Sequence, residues 1–114
     1  MSGSAAKGAA LDRTLRALAD PQRRRVVELL RERPHKAGEL AVEVGLNPPA
    51  LSRHLRALKT SGLIVESHPE FDARVRIYSL RPEPMQKLKL WLEETERLWS
   101  DQLLAFKSHL EREA

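Results

Sequence analysis

Near its middle the chain reads Asn47-Pro48-Pro49-Ala50-Leu51-Ser52-Arg53-His54-Leu55-Arg56-Ala57-Leu58-Lys59-Thr60-Ser61-Gly62-Leu63-Ile64, and this stretch decides the fold. It predicts one short helix with a marked beginning and a marked end. Asn47 is suited to cap the first free backbone N–H groups, and Pro48 suits the first helical position, where its missing N–H costs nothing. An apolar stripe at helical spacing, which must face a core, consists of Leu51, Leu55 and Leu58.

The opposite face of this predicted helix is cationic. Off the apolar stripe lie Ser52, Arg53, Arg56 and Lys59, with His54 at its flank. No acidic residue falls between Glu43 and Glu66. A small helix with an apolar back and a cationic, hydrogen-bonding front fits the major groove of DNA.

A second short helix is predicted just before the basic one. Residues 37–44 place Leu40 and Val44 on one face, and Gly45 follows, where a helix end favours a residue that tolerates a left-handed conformation. Two helices joined by a tight turn that contains glycine form the helix-turn-helix arrangement.

A β-hairpin is predicted directly after the basic helix. Gly62 ends the helix, and residues 63–65 begin a strand-like run. Residues 74–79 alternate polar and apolar side chains, as a half-buried strand does, and residues 68–73 form the turn between them. The fold class is therefore mainly α with a small β-hairpin wing, which is a winged helix-turn-helix.

These segments resemble the ArsR-type winged-helix transcriptional regulators of bacteria and archaea. The matching stretches, together with the arginine-rich second strand, are Leu18-Ala19-Asp20-Pro21-Gln22-Arg23-Arg24-Arg25, Gly38-Glu39-Leu40-Ala41, Pro49-Ala50-Leu51-Ser52-Arg53-His54-Leu55 and Ser61-Gly62-Leu63. No single stretch is decisive, but the ordered set at these spacings is specific. It extends over residues 11–81, which we interpret as the DNA-binding domain.

The N-terminal part is predicted to contain two further helices. Leu11, Leu15 and Leu18 mark the first, after a flexible tail at residues 1–10. Asp20-Pro21 opens the second, which ends before Pro34. Its Arg23-Arg24-Arg25 triplet either approaches phosphates or forms a solvated face. The third helix is expected to begin near His35 and Lys36, neither of which is a good N-cap.

Residues 82–114 predict one long helix in the same compact domain. Pro82 and Pro84 permit its start, and nothing after them interrupts it. Such a helix runs ~45 Å at ~1.5 Å per residue, which is longer than the body of a small winged helix. Its apolar stripe needs a cover, either its own domain or a second chain. The resemblance implies a homodimer formed by the first and last helices. The residues expected at this interface are Leu11, Leu15, Leu88, Trp91, Leu92, Trp99, Leu103 and Phe106.

The charge distribution agrees with a DNA partner. Residues 1–81 carry 15 Lys and Arg against 9 Asp and Glu, whereas residues 82–114 carry 5 against 7. A basic half indicates a polyanion as partner, although an ordinary basic surface is the alternative. A two-fold dimer would place its two basic helices in successive major grooves of a palindromic operator, with half-sites ~34–36 Å apart.

We assign roles to the candidate DNA-binding residues as follows. Ser52, Arg53, His54 and Arg56 face the groove, with the two arginines as candidates for guanine contacts and His54 either reading a base or packing. Asn47 and Pro48 lie against the backbone or the first base edges. The expected phosphate contacts are Lys36 and Lys59, and the expected wing contacts with the minor groove or its phosphates are Arg74 and Arg76.

Other function classes find little support in the sequence. The chain has no cysteine, which excludes disulfides, thiolate metal sites and thiol redox sensing. His109 and Glu113 on the last helix fall short of a zinc ligand set, so we predict no metal and no cofactor. No Gly-rich phosphate loop or nucleophile–base pair is present, so we expect no enzyme. No membrane span or signal peptide is recognisable, which is compatible with a cytoplasmic protein.

Two questions stay open at the level of sequence. The family resemblance implies a transcriptional regulator, a repressor that can act on its own operon, but it names no effector. Winged helices also serve as protein–protein interaction modules, and the acidic run Glu93-Glu94-Thr95-Glu96 is either such a docking site or a solvated helix face. The basic front of residues 47–60 favours DNA, because a protein-binding wing does not need it.

Overall fold

The computed structural model describes the backbone of residues 2–113 and the side chains of residues 8–113. Within these residues, five helices and three short strands follow one another along the chain. They are α1 (Ser2–Leu18), α2 (Pro21–Glu32), β1 (His35–Lys36), α3 (Ala37–Val44), α4 (Pro48–Thr60), β2 (Ile64–Ser67), β3 (Ile77–Leu80) and α5 (Pro82–Glu113). The predicted winged helix-turn-helix is confirmed, with α3 and α4 as its two helices and the β2–β3 hairpin as its wing.

The core lies where α2, α3 and α4 meet the small sheet. Its most deeply buried side chains are Val26, Leu40, Leu58, Leu63 and Tyr78. Complete burial of a leucine or valine stabilises the fold by about 1.5–3 kcal/mol. The leucine stripe predicted for α4 is buried in this core, which leaves the cationic face of α4 on the outside.

Two helices of the DNA-binding unit begin at side-chain caps, and a third ends at a glycine. The Asp20 carboxylate accepts from the backbone N–H of Gln22 at 2.8 Å and of Arg23 at 3.1 Å, which begins α2. The Asn47 side-chain oxygen accepts from the backbone N–H of Ala50 at 2.9 Å, which begins α4 as predicted. Gly45 ends α3 with a φ of 75°, a conformation that costs glycine least. These caps fix the angle at which α4 leaves the turn.

The sheet has one strand more than the predicted hairpin. Its order is β1-β3-β2, with both pairs antiparallel. The helix predicted over residues 37–44 is confirmed as α3, with Lys36 at its N-cap position, while His35 and Lys36 also form the short strand β1. The helix start uses Glu39 in place of a side-chain N-cap, because its carboxylate accepts from the backbone N–H of Lys36 at 3.1 Å.

The second strand of the wing begins later than the alternating pattern predicts. Arg74 and Arg76 lie in the loop before β3, and the ladder starts at Ile77. The cause is Asp72, whose carboxylate accepts from the backbone N–H of Arg74 at 3.0 Å while its carbonyl accepts from Val75 at 3.2 Å. These bonds hold the chain in a turn and keep it out of the ladder.

The first and last helices pack against each other. α1 begins at Ser2, so it includes residues 2–10, for which the sequence indicates a flexible tail. The long C-terminal helix is confirmed. It extends the molecule to 71 × 34 × 22 Å, and none of its described side chains is buried.

Candidate nucleic-acid interface

The outward face of α4 presents two arginines to solvent. Arg53 and Arg56 are exposed, and Ser52 beside them is half-buried. Neither arginine forms a salt bridge or a side-chain hydrogen bond with another described residue. Both guanidinium groups are therefore available to an external partner, and a guanidinium is the group best suited to the O6 and N7 atoms of guanine.

His54 is turned toward α2. Its Nε2 atom lies 2.9 Å from the side-chain oxygen of Gln22, and its Nδ1 atom lies 4.0 Å from the Asp20 carboxylate. Only 17% of the side chain is exposed. Of the two roles left open for His54, this arrangement favours packing, because both ring nitrogens face the capped start of α2. The contact joins α4 to the start of α2.

The beginning of α4 is exposed at Asn47 and Pro48. The Asn47 side-chain oxygen is occupied by its cap to Ala50, which leaves the amide N–H₂ group to donate outward. Because the capping group is a neutral amide and not a carboxylate, it does not neutralise the positive end of the helix dipole. That end stays available to an anion such as a phosphate.

Lys59 is held at the wing side of α4. Its Nζ atom lies 3.6 Å from Glu66 on β2, and His68 lies at the same distance from the other oxygen of that carboxylate. The buried Tyr78 hydroxyl donates to Glu66 at 2.6 Å. This hydrogen bond holds the pKa of Glu66 below its usual value. Burial, aided by the same bond, raises the pKa of Tyr78 to about 12. The Glu66 carboxylate thus joins α4 to both strands of the wing.

Lys36 comes together with two cations that are distant from it in sequence, at the base of the wing. Lys36, Arg74 and Arg76 line a cleft of about 310 Å³ at the start of α3. The Arg74 Nε atom lies 3.2 Å from the Asp72 carboxylate, yet 92% of its side chain is exposed. That carboxylate has a lowered pKa, because the backbone and side chain of Arg74 both donate to it. The cleft, which Glu39 also lines, offers a second cationic surface at the start of α3.

A third cationic surface was missed by the sequence analysis. Between α1, the start of α2 and α4 lies a groove of about 450 Å³, which we call the arginine groove. Its charged lining residues are Arg13, Arg16, Arg23, Arg53 and Arg56. These arginines lie on three separate helices, so no sequence pattern indicates that they come together in the fold. The spacing Arg13-x-x-Arg16 is the one local indication that two of them share a helix face.

The arginine triplet on α2 was expected either to approach phosphates or to form a solvated face, and two of its members instead bind the end of α1. Arg23 donates from Nε to the Ala17 carbonyl at 2.8 Å, and Arg24 donates to the Leu18 carbonyl at 2.7 Å. Arg25 pairs with Glu28 at 3.7 Å. The first two side chains therefore satisfy the last carbonyl groups of α1, as cations near a helix C-terminus commonly do.

The expected dimer residues form an exposed apolar surface within one chain. Leu11 and Leu88 are half-buried between α1 and α5. The others are 42–61% exposed, and they are Leu15, Trp91, Leu92, Trp99, Leu103 and Phe106. The fold-back of α5 onto its own domain, which the sequence left open, involves its contact with α1 and the packing of Met85 against the core.

Two negative observations apply to the described residues alone. No three His, Cys, Asp or Glu side chains among them converge as metal ligands do. None of their helices is long and apolar enough to cross a membrane.

Comparison with known proteins places this arrangement in a family. The family described as "Bacterial regulatory protein, arsR family" matches residues 20–66. The HTH-type transcriptional regulator Rv2034 of Mycobacterium tuberculosis is 34% identical to the chain over 102 residues, which are 90% of each protein. The chain is a member of the ArsR family.

Two further relatives agree with this assignment. The transcriptional repressor SdpR of Bacillus subtilis is 27% identical over 82 residues, which are 72% of this chain and 88% of the repressor. A crystal structure of an ArsR family transcriptional regulator, RHA00566, superposes with a TM-score of 0.72 and 32% identity, covering 82% of this chain and 93% of that one. ArsR-family proteins are transcriptional regulators and not enzymes.

Proposed function

We propose that this ArsR-family regulator is a homodimeric, sequence-specific DNA-binding repressor that reads a palindromic operator with α4 and the wing. The observation that carries the proposal is the outward face of α4. It holds two arginines without a carboxylate partner among the described residues, on a helix whose other side is fixed in the core. A cationic helix held rigidly at the surface is what reading of the major groove needs.

The surface of α5 supports the dimer. Large apolar side chains stand exposed along a helix of 32 residues, and a single chain leaves them in water. Exposed apolar surface of this extent marks a protein interface. A second copy related by a two-fold axis covers the same surface on both chains, and stable homodimers commonly bury ~2,000 Å² or more.

The dimer sets the form of the operator. Two copies of α4 related by a two-fold axis enter successive major grooves, so the half-sites are inverted and ~34–36 Å apart. Arg53 and Arg56 contact guanines, and Ser52 contacts a neighbouring base or sugar. Asn47 and Pro48 approach the backbone where α4 begins. We assign His54 the task of orienting α4 through Gln22.

The remaining cations position the protein on the duplex. Lys59 at the wing side of α4, and Lys36, Arg74 and Arg76 around the cleft, contact phosphates or the edge of the minor groove. Such contacts carry little sequence information but supply much of the affinity, which falls steeply with salt. Repression follows when the bound dimer covers a promoter, as is consistent with the name of the SdpR relative. Its place of action is the cytoplasm.

A binding experiment with matched variants tests the proposal. The probe is a fluorescent duplex from the DNA upstream of the chain's own gene, compared with a scrambled duplex of equal length. Wild type is expected to prefer the upstream duplex by 10³-fold or more. Arg53→Ala and Arg56→Ala are each expected to reduce that preference by about 10-fold or more, since a bidentate guanine contact contributes about 1–3 kcal/mol.

The control is Arg31→Ala, an exposed arginine on α2 outside all three cationic surfaces. It removes the same charge and should leave the preference unchanged. If the arginine variants of α4 keep the wild-type preference, the recognition helix is assigned wrongly. A wild-type chain that is monomeric and binds no duplex at low salt would instead favour a protein-interaction module.

A further inference from the structure

The arginine groove gathers positive charge that the folded chain does not neutralise. Arg13, Arg16, Arg53 and Arg56 form neither salt bridges nor side-chain hydrogen bonds with the described residues. Arg23 donates to the carbonyl groups of Ala17 and Arg16 and forms no salt bridge with a described residue, although the Asp20 carboxylate lies near it. Like charges that share a groove repel one another, and their combined field attracts a polyanion. Among the residues that the structure describes, no acidic side chain forms a salt bridge with these arginines.

The position of the groove follows from the helical spacing of α4. Lys59, which meets Glu66 on β2, marks the wing side of the helix. Arg53, Ala57 and Thr60 recur at i, i+4 and i+7, so they form a stripe on another side, and this stripe lines the groove with α1. The recognition helix is thus flanked by the wing on one side and by the arginines of α1 on the other.

A helix in the major groove has a sugar–phosphate backbone on both sides. The B-DNA major groove is about 12 Å wide, which is close to the diameter of a helix with its side chains, so whatever flanks the helix meets a phosphate strand. The wing and Lys59 meet one strand. The elements facing the other strand are the start of α2 and the last turns of α1.

The shape of the groove suits a phosphate group. Ala17 and Ala57 form its floor, and their small side chains leave the space open. Arginine side chains of α1 and α4 line its sides, and each of them ends in a guanidinium group. Each presents a planar fork of donors that matches two phosphate oxygens, and Arg is favoured over Lys for such bidentate contacts.

We propose that the arginine groove is a phosphate-binding site, in which Arg13 and Arg16 of α1 hold backbone phosphates of the DNA strand that borders α4 on the side away from the wing. This inference rests on the proposed function and extends the DNA-contacting surface onto α1, which also packs against the dimerisation helix α5. Arg23 fixes the groove geometry by tying the end of α1 to α2. The arginines of α1 touch no base and add affinity without sequence preference.

The test compares two double variants of the full chain that lose the same charge. Arg13→Ala/Arg16→Ala removes the α1 wall of the groove. Arg31→Ala/Arg97→Ala removes two exposed arginines on α2 and on the α5 face opposite the apolar stripe. Affinity for the upstream and the scrambled duplex is measured by fluorescence anisotropy over a series of salt concentrations. Sedimentation confirms that each variant has the oligomeric state of the wild type.

The expected result has two parts. The groove variant weakens binding to both duplexes by the same factor, about 10-fold or more at moderate salt, so that sequence preference is unchanged. The slope of log K against log salt becomes shallower by about 3.6, because a dimer loses four phosphate contacts at about 0.9 each. The control variant changes the slope by less than half of that. Arg16→Glu, which reverses the charge in the groove, weakens binding further than Arg16→Ala.

Three outcomes overturn the inference or separate it from the proposed function. If the groove variant matches the control in affinity and slope, the groove holds no DNA phosphate, although wild-type preference for the upstream duplex leaves the proposed function intact. If it matches the control but loses a thermal stabilisation that inorganic pyrophosphate gives the wild type, the groove takes a free anion and the inference is wrong. If the wild type itself shows no sequence preference, the proposed function fails first.

Discussion

At the scale of single residues, one carboxylate connects α4 with the wing. Glu66 accepts from the buried Tyr78 hydroxyl on β3 and lies beside Lys59 on α4. Because that hydrogen bond is made to the charged form, it lowers the pKa of Glu66 in the folded chain. A lowered carboxylate pKa stabilises the fold above the ordinary value of 4.5, and this contribution is lost as the pH falls through the folded value.

Glu66→Gln is therefore expected to lower the free energy of unfolding at pH 7 by about 1–2 kcal/mol, the difference between a charge-assisted and a neutral hydrogen bond. The deficit relative to wild type should shrink as the pH falls below 4.5, where the wild-type carboxylate also becomes protonated. Urea unfolding at pH 7 and near pH 3.5 measures both values. Glu70→Gln in the exposed turn is the control for loss of one charge. An equal deficit at both pH values would contradict the assigned cause.

At the scale of elements, the angle of α4 depends on its cap. The Asn47 side chain satisfies one of the free N–H groups at the helix start, and Pro48 occupies the first helical position.

Asn47→Ala is expected to destabilise the chain by about 1 kcal/mol and to weaken DNA binding, because the first turn of α4 frays. Asn47→Asp restores a capping oxygen and is expected to recover stability but not affinity, since its charge faces phosphates. Thermal unfolding and anisotropy titration measure the two effects. Equal affinity for the Ala variant and wild type would show that the cap has no role in presenting α4.

The same scale shows what the sequence could predict and what it could not. The caps and leucine stripe of α4 are local patterns, and so the helix, its basic front and the wing were predicted from residues 47–79. The β1 strand was missed because two residues carry no periodicity and pair only through β3. The alternation of polar and apolar side chains predicts a strand at Arg74 and Arg76. The hydrogen bonds that Asp72 accepts from the following residues, which hold this segment in a turn, do not show in that alternation. The arginine groove exists only once α1, α2 and α4 are packed together.

At the scale of the whole molecule, the exposed apolar surface of α5 favours a dimer in which a second copy of the chain covers it. The helix extends far beyond the core, and its two faces differ in a way that a substitution can test. Phe106 lies on the stripe that includes Trp99 and Leu110, whereas Leu104 lies on the opposite face, and the two are 61% and 63% exposed. A charge on the stripe has to be desolvated in a dimer, while a charge on the other face stays in water.

Phe106→Glu is expected to weaken dimerisation by 10-fold or more, and Leu104→Glu, with the same charge and starting exposure, to leave it unchanged. Neither side chain contributes to the core, so the helical circular dichroism signal of both variants should match wild type. Sedimentation velocity over a range of concentrations measures the dimer. Binding to a duplex with two half-sites should fall with the dimer population, whereas binding to one half-site should not. Equal dimerisation of both variants would show that the dimer interface lies elsewhere. The stripe of α5 would then give no support for the two-fold arrangement of the two α4 helices on which a palindromic operator depends.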